Sequence, residues 1–259
     1  MILNKRGNEM ILKTVSFNIR CCDDPDGHSV AERAPRLEKV ISKIGPDLIG
    51  IQEFTPIWED HFKRIFDGEY EMLNKYRSQT GWIEGSPLLW RRGKFTATGR
   101  GWFWYSDTPD VESGGWDVTG HKRICTYVKL KSADNGREFV FMNTHFGFGE
   151  EGQVKSAELI RARTKDFSDT PFFITGDFNA APDSKAYSVL TSFMKDANET
   201  DLNSVTYHGY RPGSPENAHI DYCFCSPGVT PLSARIIDDR FNGKFPSDHF
   251  GLYTVLEIK

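Results

Sequence analysis

Nothing in this chain of 259 residues is arranged to enter a membrane. No apolar run approaches the ~18 residues that a spanning helix needs, and residues 1–13 hold no apolar segment of the kind that directs export, so a cytoplasmic location is expected. Excess basic charge is missing too. Lys and Arg number 32 against 36 Asp and Glu, a net charge of −4, and the nearest approach to a basic block is Arg91 and Arg92 with Lys94. Proteins that grip long nucleic acid through many phosphates usually carry a basic excess, so the balance favours a small or short substrate. The five cysteines (Cys21, Cys22, Cys125, Cys223, Cys225) show neither a C-x-x-C pair nor a Cys/His zinc spacing, and all are expected as reduced thiols. Internal repeats, low-complexity tracts and Pro/Gly/Ser linkers are absent, which predicts one domain over residues 11–259. Residues 1–10 read as a tail, with Met10 as an alternative start, and a monomer is expected.

What is present is enough to build a large core: 19 Phe, 6 Trp and 9 Tyr, with 38% hydrophobic residues, too apolar a mix for a disordered chain. Residues 11–19 alternate with period two and read as a strand ending at Asn18. Leu37, Val40, Ile41 and Ile44 share one helical face that Gly45 and Pro46 terminate. Residues 47–52 are a short apolar run, hence a buried strand with Glu53 at its end, and Trp58, Phe62 and Ile65 predict a second amphipathic helix. From Tyr70 to Leu130 the pattern gives several strands and one long aromatic loop over residues 101–123. Further strands are expected at 138–144, 171–175, 220–225 and 251–258, with helices at 152–166 and 184–193. Many strands with helices between them predict an α/β (α+β) chain with two sheets packed face to face and helices outside.

The polar residues of interest stand where apolar strands end: Asn18, Glu53, Asn143 and His145, Asp177 and Asn179, Asp221, Asp248 and His249. Loops at strand ends gather residues distant in sequence into one site, and carboxylates, amides and imidazoles converging there suit a hard, oxygen-liking cation and a phosphate. Singly each has a plainer reading. Asp177 to Asn179 is also a good turn, and a lone histidine such as His145 is often a satisfied buried one.

Their order is what distinguishes them. Ser16-Phe17-Asn18, Ile51-Gln52-Glu53, Asn143-Thr144-His145, Gly176-Asp177-Phe178-Asn179, Ile220-Asp221-Tyr222 and Ser247-Asp248-His249 resemble the successive signatures of the endonuclease/exonuclease/phosphatase superfamily, over nearly the whole chain. The resemblance implies a DNase I-like four-layer αββα sandwich with the site at one end, and a phosphoesterase using Mg²⁺ or Mn²⁺. It implies Glu53 as principal metal ligand with Asn18 and Asp248 beside it. Asp177 would orient or deprotonate the attacking water, and Asn179 would hold the water or the phosphate. His249 would donate to a phosphate oxygen with Asp221 fixing its ring from behind, and His145 would contact the phosphate or leaving group from the opposite side. The resemblance implies a phosphate-ester substrate, with small molecule, lipid head group and nucleic acid all open; a silent phosphate-binding module on the same fold is the alternative.

Two more segments resemble a bacterial branch of that superfamily. Glu84-Gly85-Ser86-Pro87 makes Glu84 a candidate support for the site, with a structural turn as the alternative. Gly115-Trp116-Asp117 followed by Lys122-Arg123 makes Arg123 a phosphate-binding candidate, with a surface salt bridge as the alternative. One departure follows His145 and Phe146. Many relatives carry Asp and His next, whereas Gly147 and Phe148 stand here, which leaves substrate contacts on that side unassigned. Trp102, Phe103, Trp104, Tyr105 and Trp116 either stack a base or cover a sugar or lipid group, or fill the core with one or two rings exposed.

Overall fold

The computed structural model describes residues 9–259. Of the expected tail, residues 1–8 lie outside the described residues, and Met10 already pairs with Ile258 in the first strand. The elements run β1 (Met10–Asn18), α1 (Val30–Ile44), β2 (Leu48–Gln52), α2 (Glu59–Phe66), β3 (Tyr70–Leu73), β4 (Leu88–Arg91), β5 (Phe95–Trp104), β6 (Ile124–Ser132) and β7 (Glu138–His145). They continue with α3 (Glu150–Arg163), β8 (Phe172–Asp177), α4 (Lys185–Thr191), β9 (Lys195–Asp196), β10 (Asp221–Cys225), β11 (Val229–Ile237) and β12 (Gly251–Ile258). Among the described residues no helix is long and apolar enough to cross a membrane.

The strands form two six-stranded sheets, ordered β11-β12-β1-β2-β4-β3 and β5-β6-β7-β8-β10-β9. Three apolar clusters separate four layers. Leu12, Leu48 and Leu88 meet Phe141, Phe173 and Cys223 between the sheets. The opposite parity of the first sheet, Val15, Phe17, Ile49 and Ile51, packs against α1 and α2. Val140, Met142, Ile174 and Phe224 of the second sheet pack against α3 and α4. Strands covered on both faces read as nearly continuous apolar runs, as β2 and β10 do. The fold is the αββα sandwich.

Local signals explain the elements that matter for the site. Ser29 caps α1 in a reciprocal box with Glu32, and Gly45 ends the helix at φ +57°, a conformation glycine adopts without strain. Gly50 serves a different purpose. A Cβ there would stand 2.2 Å from Thr175 Oγ1 and 2.7 Å from Asn143 Oδ1, so its bare backbone lets the two sheets approach around a polar bridge. In that bridge the Asn143 amide donates to the Ile51 (2.6 Å) and Pro87 (3.0 Å) carbonyls, and its oxygen accepts from Gln52 Nε2 (2.7 Å) and Thr175 Oγ1 (3.1 Å).

Two expectations about the fold need correction. The aromatic segment is not a loop from residue 101: Gly101 to Trp104 are the end of the ten-residue strand β5, and the loop begins at Tyr105. Gly99 and Gly101 read as breakers, yet they sit in a strand with a register shift between Ala97 and Gly99. Sequence reasoning also passed over β11, an edge strand with a register shift at Pro231/Ser233 and several exposed positions, which erase the alternation.

Candidate active site

Strand register delivers the site residues. In the second sheet parallel pairing sets His145 opposite Asp177, and antiparallel pairing sets Asp221 opposite Asp177, so three adjacent strands end in one row. In the first sheet Asn18 pairs with Gln52, and Glu53 is the next residue past the strand end. Asp248 and His249 precede β12, which runs antiparallel to β1 and brings them to the same end. Glu53, Asp177, Asn179, Asp248, His249, His145, Glu84 and Arg123 all line one cavity of about 410 Å³.

Three residues there hold left-handed backbone, Arg20 (φ +62°), Glu53 (φ +62°) and Asn179 (φ +48°). Asparagine tolerates this region, but Arg and Glu pay for it, and the surrounding contacts hold them. The Glu53 carboxylate accepts from Asn18 Nδ2 (3.0 Å) and from the Cys21 backbone N–H (2.8 Å). Asn18 Nδ2 also donates to Asp177 Oδ2 (3.0 Å), while its oxygen takes the Arg20 N–H (3.0 Å). Asn18 therefore braces two carboxylates across the two sheets. Asn179 donates its backbone N–H to Asp177 Oδ1 (2.9 Å) and its side-chain amide to the Phe146 carbonyl (3.0 Å).

Two histidines face Asp177, each backed by a carboxylate. His249 Nδ1 lies 2.9 Å from Asp221 Oδ2, and its Nε2 lies 3.7 Å from Asp177 Oδ2. His145 Nδ1 lies 3.0 Å from Glu84 Oε1, and its Nε2 is also 3.7 Å from Asp177 Oδ2. Glu84 is thus more than a turn residue: buried, it also accepts from Arg77 Nη1 (2.8 Å) and Trp82 Nε1 (3.1 Å). Arg123 is buried rather than a surface ion pair. Its Nε donates to Asp117 Oδ2 (2.7 Å), and Nη1 is a buried donor with no hydrogen-bond partner.

Electrostatics divide these groups. Burial opposes it, but Asp221, Asp177 and Asp248 push His249 up to about 10, so its ring is an imidazolium at neutral pH. Burial and the neighbouring Asp221 raise Asp177 above the usual carboxylate range in spite of both histidines. Burial, with Glu53 nearby, raises Asp248 likewise. Burial works against it, yet His145, Arg77 and Arg123 hold Glu84 down to about 2. Burial and Glu84 work to raise Glu53, but His145, His249 and Asn18 take it below its ordinary value.

The chemistry of the donors fits a hard divalent cation, since the half-buried Glu53 and buried Asp248 carboxylates line the cavity together and Asn18 is bonded to Glu53. Asp177, Asp221 and His249 also bring ligand atoms within 4.8 Å of one another. That second grouping is the weaker candidate. His249 Nδ1 and Asp221 Oδ2 are already bonded to each other.

Sequence reasoning misjudged or missed several positions. Asn143 is fully buried in the inter-sheet bridge and does not line the cavity. Arg20, Cys21, Arg77, Trp82, His121, Phe148 and Tyr207 do line it, without having been assigned there from the sequence. They lie on loops, where no periodicity marks them. Of the aromatic segment, Phe103, Trp104 and Tyr105 are core, Trp102 is exposed on β5, and none lines the cavity. All five cysteines are free thiols, with Cys21 and Cys22 sulfurs 3.6 Å apart.

An αββα sandwich with this end-of-sheet row of carboxylates and histidines is the architecture of phosphoester hydrolases. Residues 15–249 match the sequence model of the Endonuclease/Exonuclease/phosphatase family, and the chain belongs to it. An endonuclease/exonuclease/phosphatase family protein of Bacteroides thetaiotaomicron shares the structure at a TM-score of 0.89 and 28% identity, over 97% of this chain and 99% of that one. A mannosyl-6-phosphatase of the same bacterium matches at a TM-score of 0.87 and 28% identity, over 95% and 99%. By sequence, carbon catabolite repressor protein 4 homolog 3 of Arabidopsis thaliana is 23% identical over 199 residues, 71% of this chain. This chain spans 42% of the length of that plant protein.

Proposed function

We propose that this protein is a divalent-cation-dependent phosphatase that hydrolyses a phosphomonoester of a small molecule. The observation that carries the reading is the pair of carboxylate-backed imidazoles whose Nε2 atoms both face Asp177 Oδ2 at 3.7 Å. A buried carboxylate flanked in this way is suited to take a proton from water. The His249 imidazolium, with Nδ1 committed to Asp221, keeps Nε2–H free to donate to a phosphate oxygen whose charge grows in the transition state.

Glu53 and Asp248 would hold Mg²⁺ or Mn²⁺, with Asn18 beside them. Bound there, the cation supplies Lewis-acid neutralisation of the phosphate. Asn179, its backbone fixed to Asp177, would hold the water or the phosphate. His145, held by Glu84, reaches the phosphate or leaving group from the side opposite His249. Arg123, with a buried unpartnered Nη1, supplies a further donor for a phosphate oxygen. Water adds to phosphorus, the bond to the leaving oxygen breaks, and the proton taken by Asp177 is the one the ester oxygen ultimately needs.

Three observations favour a small monoester over a polynucleotide: the net charge of −4, the absence of a basic block in the sequence, and the 28% identical mannosyl-6-phosphatase. The test compares p-nitrophenyl phosphate and a hexose 6-phosphate with bis-p-nitrophenyl phosphate, in Mg²⁺, Mn²⁺ or EDTA. Cation-dependent release from the monoesters, well above that from the diester, is expected. A clear preference for the diester overturns the monoester assignment, and turnover undiminished in EDTA overturns the cation dependence.

A further inference from the structure

Most aromatic rings of this chain are buried or partly buried. Among the described residues only Trp82 (47%), Trp102 (38%) and Phe148 (47%) are exposed, and two of those three, Trp82 and Phe148, line the active-site cavity. Exposed rings lose apolar burial, so rings exposed together at the wall of a polar cavity call for a ligand that covers them.

Both residues are held in place. Trp82 Nε1 donates to the buried Glu84 carboxylate at 3.1 Å, and the ring stands 6.1 Å from His121, which also lines the cavity. Phe148 is held by its backbone: its N–H donates to Asp117 Oδ1 (3.3 Å) and its carbonyl accepts from Val118 N–H (3.2 Å). The glycine before it makes this possible, because a Cβ on Gly147 would stand 2.7 Å from Asp117 Cβ and Cγ. The Arg123 guanidinium lies 5.8 Å from the Phe148 ring centroid, joining that ring to the candidate phosphate contact. Gly147 and Phe148 thus present an apolar face beside Asp117 and Arg123.

From this geometry we infer that Trp82 and Phe148 are specificity-determining residues that select a phosphomonoester whose leaving group carries a sugar ring, packing the apolar face of that ring against the two aromatics. The inference rests on the phosphatase reading and adds the class of leaving group. A pyranose presents C–H faces to an aromatic ring and hydroxyls to polar groups such as Glu84 and His121, which line the same cavity. A cavity of about 410 Å³ falls within the ~300–1,000 Å³ typical of small-molecule sites.

The experiment measures kcat/KM for a hexose 6-phosphate and for glycerol phosphate, which has no ring, in the wild type, Trp82→Ala, Phe148→Ala and Trp82→Phe. Binding of both esters to the same proteins is measured by calorimetry in parallel, with calcium as the cation. The ratio of the two specificity constants is expected to fall roughly tenfold in each alanine variant, about what one stacked ring is worth, chiefly through KM. Trp82→Phe, which keeps a ring but loses the bond to Glu84, is expected to restore most of that ratio. An unchanged ratio in both alanine variants overturns the inference. Trp82→Phe behaving as Trp82→Ala also overturns it for Trp82, since that residue would then act only through Glu84. If the wild type hydrolyses neither ester, the phosphatase reading fails; ring-dependent binding lost in the alanine variants would still uphold the aromatic site, and equal binding of the two esters would remove it.

Discussion

His145 and His249 converge on a single oxygen: each presents Nε2 at 3.7 Å to Asp177 Oδ2, one from a ring backed by Glu84 and the other from a ring backed by Asp221. The two sides are not equivalent. Asp221 is the strand neighbour of Asp177 and comes with the sheet, whereas Glu84 arrives from a loop and is itself held by Arg77.

Glu84 is therefore expected to act as a positioning residue. Replacing it with Ala leaves the buried Arg77 without its partner and is expected to cost about 3–5 kcal/mol of stability. Glu84→Gln keeps the shape, so the fold should survive while kcat falls at least tenfold as His145 loses its anchor. Chemical denaturation and steady-state kinetics on the two variants check both halves; a Gln variant with wild-type kcat contradicts the assignment.

The raised Asp177 and Asp248 give a stability prediction with a definite sign. A carboxyl whose folded pKa lies above its unfolded value binds more protons when folded, so its contribution is present below the unfolded pKa and is lost as pH rises through the folded one. The cation-free protein should gain thermal stability from Asp177→Asn at neutral pH, and the gain should shrink as pH falls toward 4. Thermal melts in EDTA at several pH values measure this. A lower midpoint for Asp177→Asn in EDTA would show that the ionised carboxylate stabilises the fold instead.

His208 sets an acid limit away from the catalytic row. Burial among Phe245, Phe250 and Tyr210, with the His249 charge nearby, pushes its pKa down to about 4. Between about pH 6.5 and 4 the unfolded chain takes a proton that the folded ring refuses, so stability falls as pH falls through that window. His208→Phe is expected to flatten the slope there by up to one proton, read from denaturation midpoints across pH. An unaltered slope would mean that His208 is protonated in the folded protein.

Gly50 is expected to be nearly irreplaceable. An added Cβ meets Thr175 and Asn143 side chains inside the inter-sheet bridge, and Gly50→Ala should cost about 2–3 kcal/mol or more, measured by urea denaturation. A cost under about 0.5 kcal/mol would mean that the sheets separate more easily than this packing allows.

How legible all this was from the sequence depends on which chain segments carried a period. Asn18, Glu53, Asp177, Asp221 and His249 stand at or beside the ends of apolar strands, so a strand reading and an ordered set of short motifs located them together. Asn143 fits the same pattern and misled for that reason: it shares the face of β7 that carries His145 but lies two residues deeper, in the gap between the sheets. Arg77, Trp82 and Phe148 sit on loops, and only the tertiary approach of Glu84 and Asp117 brings them to the cavity. Strand β11 escaped because an edge strand with a proline and a bulge has little alternation to read.

The most direct test of the central claim is to measure Mn²⁺ binding and phosphate release from a monoester for the wild type, Asp177→Asn and Glu53→Gln. Asp177→Asn is expected to stay folded and bind the cation with turnover reduced at least a thousandfold, while Glu53→Gln loses cation affinity. Phosphate release by Asp177→Asn at the wild-type rate would contradict the role assigned to the oxygen that both histidines face.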